Sequence, residues 1–274
     1  MIKKFQPTIL AVLLWSFAGI ANAEVSESPA TLATDSALAT PNSVQLGYSL
    51  DTYSRYFEDN PITTLKYGRV VSWGSLSLQA NSSHRFQTSD IQYEINLYPR
   101  LWKGLWAELN LGTSAGNLFA LNSQGAEIFS SFDRGYEGSL GLRHLAFTNS
   151  AVTIYTGSLS KYVGNYLFTM RPYVTPSRVG TSISTTLSVT RYFADADSYW
   201  KISTSTGKSP EERTYPPKIV TVRSSSFGVS AQWSPRKAIF ISPSFNHARQ
   251  ELPFSPGEFV GIDKIAATVS YRFK

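Results

Sequence analysis

The sequence predicts an all-β protein: a transmembrane antiparallel β-barrel of about fourteen strands, with twelve as the alternative count, following a cleaved signal peptide. Three observations predict it. The body alternates apolar and polar residues with a period of two, the signature of a strand with two unlike faces. The alternating segments run about 9–12 residues, which suits a tilted strand crossing a bilayer and exceeds the usual 5–6 of soluble strands. Aromatic residues make up 14% of the chain and charged ones 16%, against roughly 25% charged in soluble domains. The mean hydropathy is nevertheless −0.14, because lipid-facing and lumen-facing residues cancel in any window.

The first element is an address. Lys3 and Lys4 form a basic start, an apolar run follows from Ile9 to Ile20, and Ala21-Asn22-Ala23 places small residues at a cleavage site. The run is short of the roughly 18–20 residues that span a bilayer as a helix, so residues 1–23 are expected to be removed. Residues 24–42, rich in Ser, Ala, Thr and Pro, are expected to form a flexible periplasmic tail. Residues 43–274 are expected to be one outer-membrane barrel domain. With no Cys in the chain, disulfide chemistry and lipid attachment to a cysteine are excluded. The net charge of +6 is spread along the chain and makes no case for a nucleic-acid partner.

Fourteen alternating segments begin near Val44, Thr63, Ser75, Asp90, Gly104, Ala126, Tyr136, Ala151, Asn165, Thr181, Tyr199, Val220, Ala238 and Ile262. The last is the clearest: Ile265, Ala267, Val269, Tyr271 and Phe273 share one face, and Lys264, Ala266, Thr268, Ser270 and Arg272 the other. An even count puts both chain ends on the periplasmic side. Tight turns are then expected after even-numbered strands. Long external loops are expected at Ala115–Gly125, Lys208–Lys218 and Glu251–Gly261. Pro172 and Pro243 fall inside strands, where a missing donor calls for a bulge or a shifted boundary. Trp73, Trp102, Trp106, Trp200 and Trp233 all fall at periplasmic ends, where an interface girdle is expected. Tyr271 and Phe273, closing the last strand, are the expected assembly signal for the barrel-assembly machinery.

From Tyr136-Glu137-Gly138-Ser139-Leu140-Gly141-Leu142-Arg143-His144 through Tyr162-Val163-Gly164-Asn165-Tyr166 to Arg191-Tyr192-Phe193, the chain resembles the YaiO family of outer-membrane β-barrels. The closing Tyr271-Arg272-Phe273 matches as well, although Lys274 follows the aromatic that usually ends such proteins. The resemblance implies an outer-membrane barrel among lipids and lipopolysaccharide in a Gram-negative-type envelope. It brings no settled activity, while related barrels serve envelope polysaccharide export.

Candidate chemistry is sparse. Ser82 and His84, two apart on one strand face, are weak catalytic candidates for an outer-leaflet lipid or lipopolysaccharide hydrolase, since a nucleophilic hydroxyl needs an imidazole within reach. No third member, no oxyanion hole, no metal-ligand spacing and no cofactor motif accompanies them. By parity the lumen receives Asp51, Arg85, Glu94, Glu108, Glu137, Arg143, Arg171, Lys201, Lys264 and Arg272. These charges either pair across the interior and plug it, or line a narrow hydrated channel. A pore or conduit for small solutes or polysaccharide is therefore expected first, a closed structural or surface-binding barrel second and the hydrolase last.

Overall fold

The computed structural model describes residues 40–177, 180–195, 197–214 and 217–274, with the backbone alone over 209–221. The expected signal segment and all but the end of the expected tail lie outside the described residues.

Fourteen antiparallel strands follow in chain order. They are β1 (Asn42–Tyr53), β2 (Asn60–Val71), β3 (Gly74–Arg85), β4 (Thr88–Trp102) and β5 (Leu105–Thr113). Next come β6 (Asn122–Phe132), β7 (Tyr136–Ala146), β8 (Ala151–Val163), β9 (Tyr166–Ser177) and β10 (Gly180–Tyr192). The last four are β11 (Tyr199–Thr214), β12 (Pro217–Arg236), β13 (Ile239–Leu252) and β14 (Ser255–Phe273). Each strand pairs with its sequence neighbours, and β1 pairs with β14 from Asn42↔Phe273 to Tyr53↔Ile262, closing the barrel. Fourteen strands therefore replace the twelve-strand alternative. Closure removes both edges, so every ladder donor and acceptor in the sheet has a strand beside it.

The faces are inverted relative to a soluble protein. Leu46, Leu65, Leu78, Leu140, Ile183 and Ile265 are between 48% and 79% exposed, all on the outer face. The inner face buries Ser77, Asn81, Gln92, Asn96, Ser182 and Ser188. An apolar belt on this scale would not remain in water as a monomer surface, so it faces lipid. On β13 and β14 the belt ends at Phe245↔Ile265. The next outward pair is His247↔Asp263, bonded at 2.7 Å and about half exposed. That pair marks the outer rim, and residues between them in sequence project beyond the membrane.

At the end that holds both termini the connections are tight. The β6–β7 turn is a single 3-10 turn, Asp133–Gly135. The β4–β5 and β8–β9 turns rest on Gly104 (φ 74°) and Gly164 (φ 58°) in left-handed backbone. This is the periplasmic end. At the outer end the strands run on past the belt. The expected loops Lys208–Lys218 and Glu251–Gly261 are largely paired strand, the first laddering out to Thr214↔Pro217 and the second from Glu251↔Phe259. β14 thus starts at Ser255 rather than near Ile262. β6 starts at Asn122 rather than near Ala126, leaving a connection of 114–121.

Neither proline needs a shifted boundary. Opposite Pro172 the β8–β9 ladder skips from Thr156↔Tyr173 to Leu159↔Met170 without changing register. On its other side Pro172 pairs with Thr185. Pro243 behaves alike: it pairs with Ala267 of β14 and faces a gap in the β12–β13 ladder between Ser230↔Ser244 and Trp233↔Ile241. Each ring turns its missing donor toward a single neighbour, which costs one rung rather than the strand.

The β13–β14 hairpin has its own clasp. Glu251 accepts from the Arg223 backbone N–H (3.1 Å), the Arg223 guanidinium (3.1 and 3.3 Å) and the Gly257 N–H (2.8 Å). The Arg223 side chain first, then the Gly257 amide, hold its carboxyl at about 2, below the usual carboxylate range. A depressed carboxyl contributes stability above its unfolded value, and that contribution is lost as pH falls through the folded one. Hydrogen exchange should show the Gly257 amide well protected near pH ~6 and progressively less so, relative to intrinsic rates, between about pH 4.5 and 2. Glu251→Gln should show the weakened protection already at neutral pH. Equal protection in both proteins across this range would mean that the clasp does not hold the hairpin tip.

Candidate functional site: the barrel interior

Strand alternation decides what reaches the interior. Arg85, Glu94, Glu108, Glu137, Arg143, Arg171, Lys201, Lys264 and Arg272 all share the inner face, since their cross-strand partners are the inward Ser, Thr, Gly and Asn positions. Asp51 joins them from β1. Three further charges face inward, Lys66 on β2, Asp90 on β4 and Glu127 on β6, and of these only Asp90 follows from the parity that places Glu94 inside. Strands β2 and β6 alternate poorly, and the expected start of β6 fell next to Glu127.

The interior has unlike walls. Across β2–β5 it is carpeted with amides. Thr64 Oγ1 donates to Asn81 Oδ1 (2.8 Å), Asn81 Nδ2 to Gln92 Oε1 (3.2 Å), and Asn110 Nδ2 to Asn96 Oδ1 (2.7 Å). Across β8–β12 it is carpeted with hydroxyls, among them the pairs Ser160–Thr169 (2.9 Å) and Ser205–Ser226 (2.8 Å). Charged groups stand on both walls and on β6 and β7 between them. Arg171 Nη1 donates to both oxygens of Glu127 (2.7 and 2.9 Å) and to Thr156 Oγ1 (3.4 Å). This is the interior's tightest ion pair, and both side chains are less than a fifth exposed. Lys264 Nζ stands 3.6 Å from Asp51.

Glycines let several long side chains lie flat. A Cβ built on Gly141 would sit 2.6 Å from Glu127 Cβ, one on Gly112 3.3 Å from Glu94 Cγ, and one on Gly125 3.9 Å from Arg143 Cγ. Each of these three charges faces a glycine directly across its ladder. The bare backbone there leaves room for the stems of those side chains.

Both mouths are narrowed by inward-folded segments. At the outer mouth the 114–121 connection is latched by Asp90, which is 4% exposed. Its Oδ2 accepts from the amides of Asn117 (2.9 Å), Leu118 (2.8 Å) and Phe119 (3.2 Å), and its Oδ1 from Ala115 (3.2 Å) and Ile91 (2.9 Å). The connection also places Ala120 against inward-facing Leu145 and Ile154, with Tyr173 beside them. Across the mouth Tyr53 and Phe57 pack on Ala248, Leu252, Val260 and Ile262. At the periplasmic mouth the turn after β10 reaches across β12 and β13. There Arg272 Nη1 donates to Asp197 Oδ1 (3.0 Å) and Gln232 Nε2 to the Asp197 carbonyl (2.8 Å).

The other expected residues fall as follows. Trp73, Trp102 and Trp233 are 46%, 79% and 44% exposed at the periplasmic rim. Trp200 is half-buried on the outer face against the edge of Tyr166. Trp106 departs from that girdle. It is 5% exposed and points inward, stacked on Phe129 with centroids 5.6 Å apart. Being at the periplasmic end put it with the other tryptophans, but its parity in β5 puts it inside. Tyr271 and Phe273 point outward and stack at 5.9 Å beside the barrel seam. Ser82 and His84 also point outward. His84 Nδ1 is bonded to Ser89 Oγ (2.8 Å) across the β3–β4 hairpin, and not to Ser82. Residues two apart on a strand share a face but are separated by about 7 Å along it. Among the described residues no group of three His, Asp or Glu could hold a metal.

A family model described as YaiO membrane beta barrel domain matches residues 41–212. No curated protein matches the chain. Among solved structures the chain is similar to the Acinetobacter baumannii outer membrane protein Omp33. That likeness has a TM-score of 0.50 at 8% identity, covering 86% of this chain and 100% of that one. It is similar also to Pseudomonas aeruginosa OpdO, with a TM-score of 0.48 at 8% identity over 84% and 95% of the two chains. A bacterial polysaccharide outer membrane secretin gives 0.47 at 7% identity over 86% and 99%. At such identities the likeness concerns the fold alone.

Proposed function

The chain belongs to the YaiO membrane β-barrel family and is a barrel of the bacterial outer membrane, and from that premise we propose that it is a narrow, hydrated conduit for hydroxyl-rich solutes, small sugars or an envelope polysaccharide. The observation that carries this reading is the inner face itself. Barrel diameter grows with strand number, and eight strands are just filled by their own side chains, so fourteen enclose a wider interior. Here the wall is surfaced mainly with Ser, Thr, Asn and Gln, and a glycine stands opposite each of Glu94, Glu127 and Arg143. A barrel stabilised as a solid plug would instead send large side chains to the axis. Hydroxyls and amides exchange hydrogen bonds with water or with sugar hydroxyls at little cost, because either partner satisfies them. The inward-folded segments at the two mouths then set the width.

Planar-bilayer recording tests this. Purified protein should give discrete small current steps. Absence of steps both in the native protein and in a variant with the outer latch removed, Asp90→Ala, would overturn the conduit and leave a closed structural or binding barrel.

A further inference from the structure

The conduit's charged groups are not all spoken for, and the pattern of the uncommitted ones names a class of passenger. Three cations project inward from alternate strands: Arg143 on β7, Arg171 on β9 and Lys201 on β11. Between them β8 and β10 present hydroxyls, including Thr156, Ser158, Thr186 and Ser188. Arg143, Arg171 and Glu127 lie within electrostatic range of the Tyr173 hydroxyl, and Arg171 within range of Lys201. The three cations thus lie along one wall at successive heights.

Carboxylates of the interior have partners within the chain. Glu127 holds Arg171, Asp51 lies by Asn60 and Lys264, Asp90 holds the loop amides, and Glu137 and Glu108 accept from Ser131 and Tyr98. On the cationic wall only Arg171 has a carboxylate. Arg143 and Lys201 form no ion pair or hydrogen bond among the described residues, and Lys66 on the other wall forms none either. Arg143 Nε, Ser182 Oγ and Thr186 Oγ1 are moreover buried without a partner. The unmatched charge is thus positive and is set among unmatched hydroxyls. Arg143 and Lys201 are themselves only partly buried, so a ligand in the lumen can reach the rest of each side chain.

We propose that the wall formed by β7–β11 is a binding track for an acidic saccharide of the uronate type, whose carboxylates engage Arg143 and Lys201 while its ring hydroxyls engage the Ser and Thr side chains of β8 and β10. This rests on the conduit reading and specifies its passenger. A guanidinium takes a carboxylate bidentately, and an ammonium takes it as a point charge, so both suit a group that slides from one to the next. Arg171 is neutralised by Glu127 and keeps the middle of the track from binding too tightly for release.

The test uses the full-length barrel in a planar bilayer, with oligogalacturonate, a maltooligosaccharide of matched length and a sulfated maltooligosaccharide as blockers. Oligogalacturonate should interrupt the current at a concentration at least about tenfold below the neutral sugar, a difference of about 1.4 kcal/mol in binding. The variant Arg143→Gln with Lys201→Gln should lose that difference. Its fold is checked by faster migration of unboiled than boiled protein on a gel. Equal block by charged and neutral sugars, or discrimination that survives in the folded double variant, would overturn the track. Block by the sulfated sugar as strong as by the uronate would overturn the uronate assignment, leaving recognition of charge alone. If neither the native protein nor Asp90→Ala passes current, the conduit reading fails, and the track is then judged separately by titrating the detergent-solubilised barrel with the same sugars and following tryptophan fluorescence. Saturable, Arg143- and Lys201-dependent binding of the uronate would support it there, and no binding would overturn it.

Discussion

Asp90→Ala should raise single-channel conductance several-fold, the largest functional change expected from any single substitution in this barrel. Four amides of the outer connection, those of Ala115, Asn117, Leu118 and Phe119, converge on one buried carboxylate. Removing it would strand four donors, at about 1–3 kcal/mol for each that stays buried. What else holds the connection inside is the contact of Ala120 with Leu145 and Ile154 and the bonds of Ser114 Oγ to the carbonyls of Phe119 (3.3 Å) and Ala120 (2.9 Å). A methyl side chain contributes less than about 1 kcal/mol by burial, so the stranded donors decide the outcome. The segment should leave the mouth for water, where its amides are satisfied. Asp90→Asn should fall in between, because the amide oxygen still accepts but carries no charge. Since the native chain has no Cys, Ala120→Cys with Leu145→Cys gives an independent check. Oxidation should hold the connection in and keep conductance low even with Asp90 replaced. Native-sized steps in Asp90→Ala would show that the connection does not set the width.

The second large effect concerns stability. Arg171→Ala should cost about 3 kcal/mol, because it leaves Glu127 charged and without its guanidinium on a wall where it is largely shielded from solvent. Glu127→Gln added to Arg171→Ala should recover most of the loss, since a neutral amide can be satisfied by Thr156 or by water. The same double variant removes one positive and one negative charge, so the net charge of the lumen wall is unchanged and its ion selectivity should stay near the native value. Denaturation of the barrel in detergent, followed by gel mobility of unboiled samples, measures the first effect, and reversal potentials measure the second. A loss below about 0.5 kcal/mol for Arg171→Ala would mean that Glu127 is fully hydrated once freed, as in a wide aqueous pore. The cycle thus also gauges how wet the interior is.

Much of the architecture was legible because it is local. The period of two in Ile265-Ala266-Ala267-Thr268-Val269-Ser270-Tyr271-Arg272 follows from the backbone geometry of a strand, and lipid on one side turns that period into composition. Strand number, the even count and the inward parity of Arg143, Arg171 and Lys201 all come from that one rule. Boundaries were less legible where the membrane stops imposing it. Beyond His247 and Asp263 the outer face no longer meets lipid, so the extensions of β11–β14 lost their alternation and looked like loops, though backbone pairing continues there. Trp106 shows the opposite error: its place along the axis suggested the rim, although it shares the parity that put Glu108 inside.

Which charges meet is another matter. Arg171 sits on β9 and Glu127 on β6, 44 residues earlier, and they touch because the closed barrel curves and shears its strands past one another. Asp90 meets a connection that begins 24 residues later because that connection turns inward rather than out. The sequence alone determined that this chain forms a lipid-facing, polar-lined barrel, since alternation is written residue by residue. The tertiary structure decided which carboxylates are taken and which cations are left over, because pairing across a lumen depends on closure, a property no single strand carries.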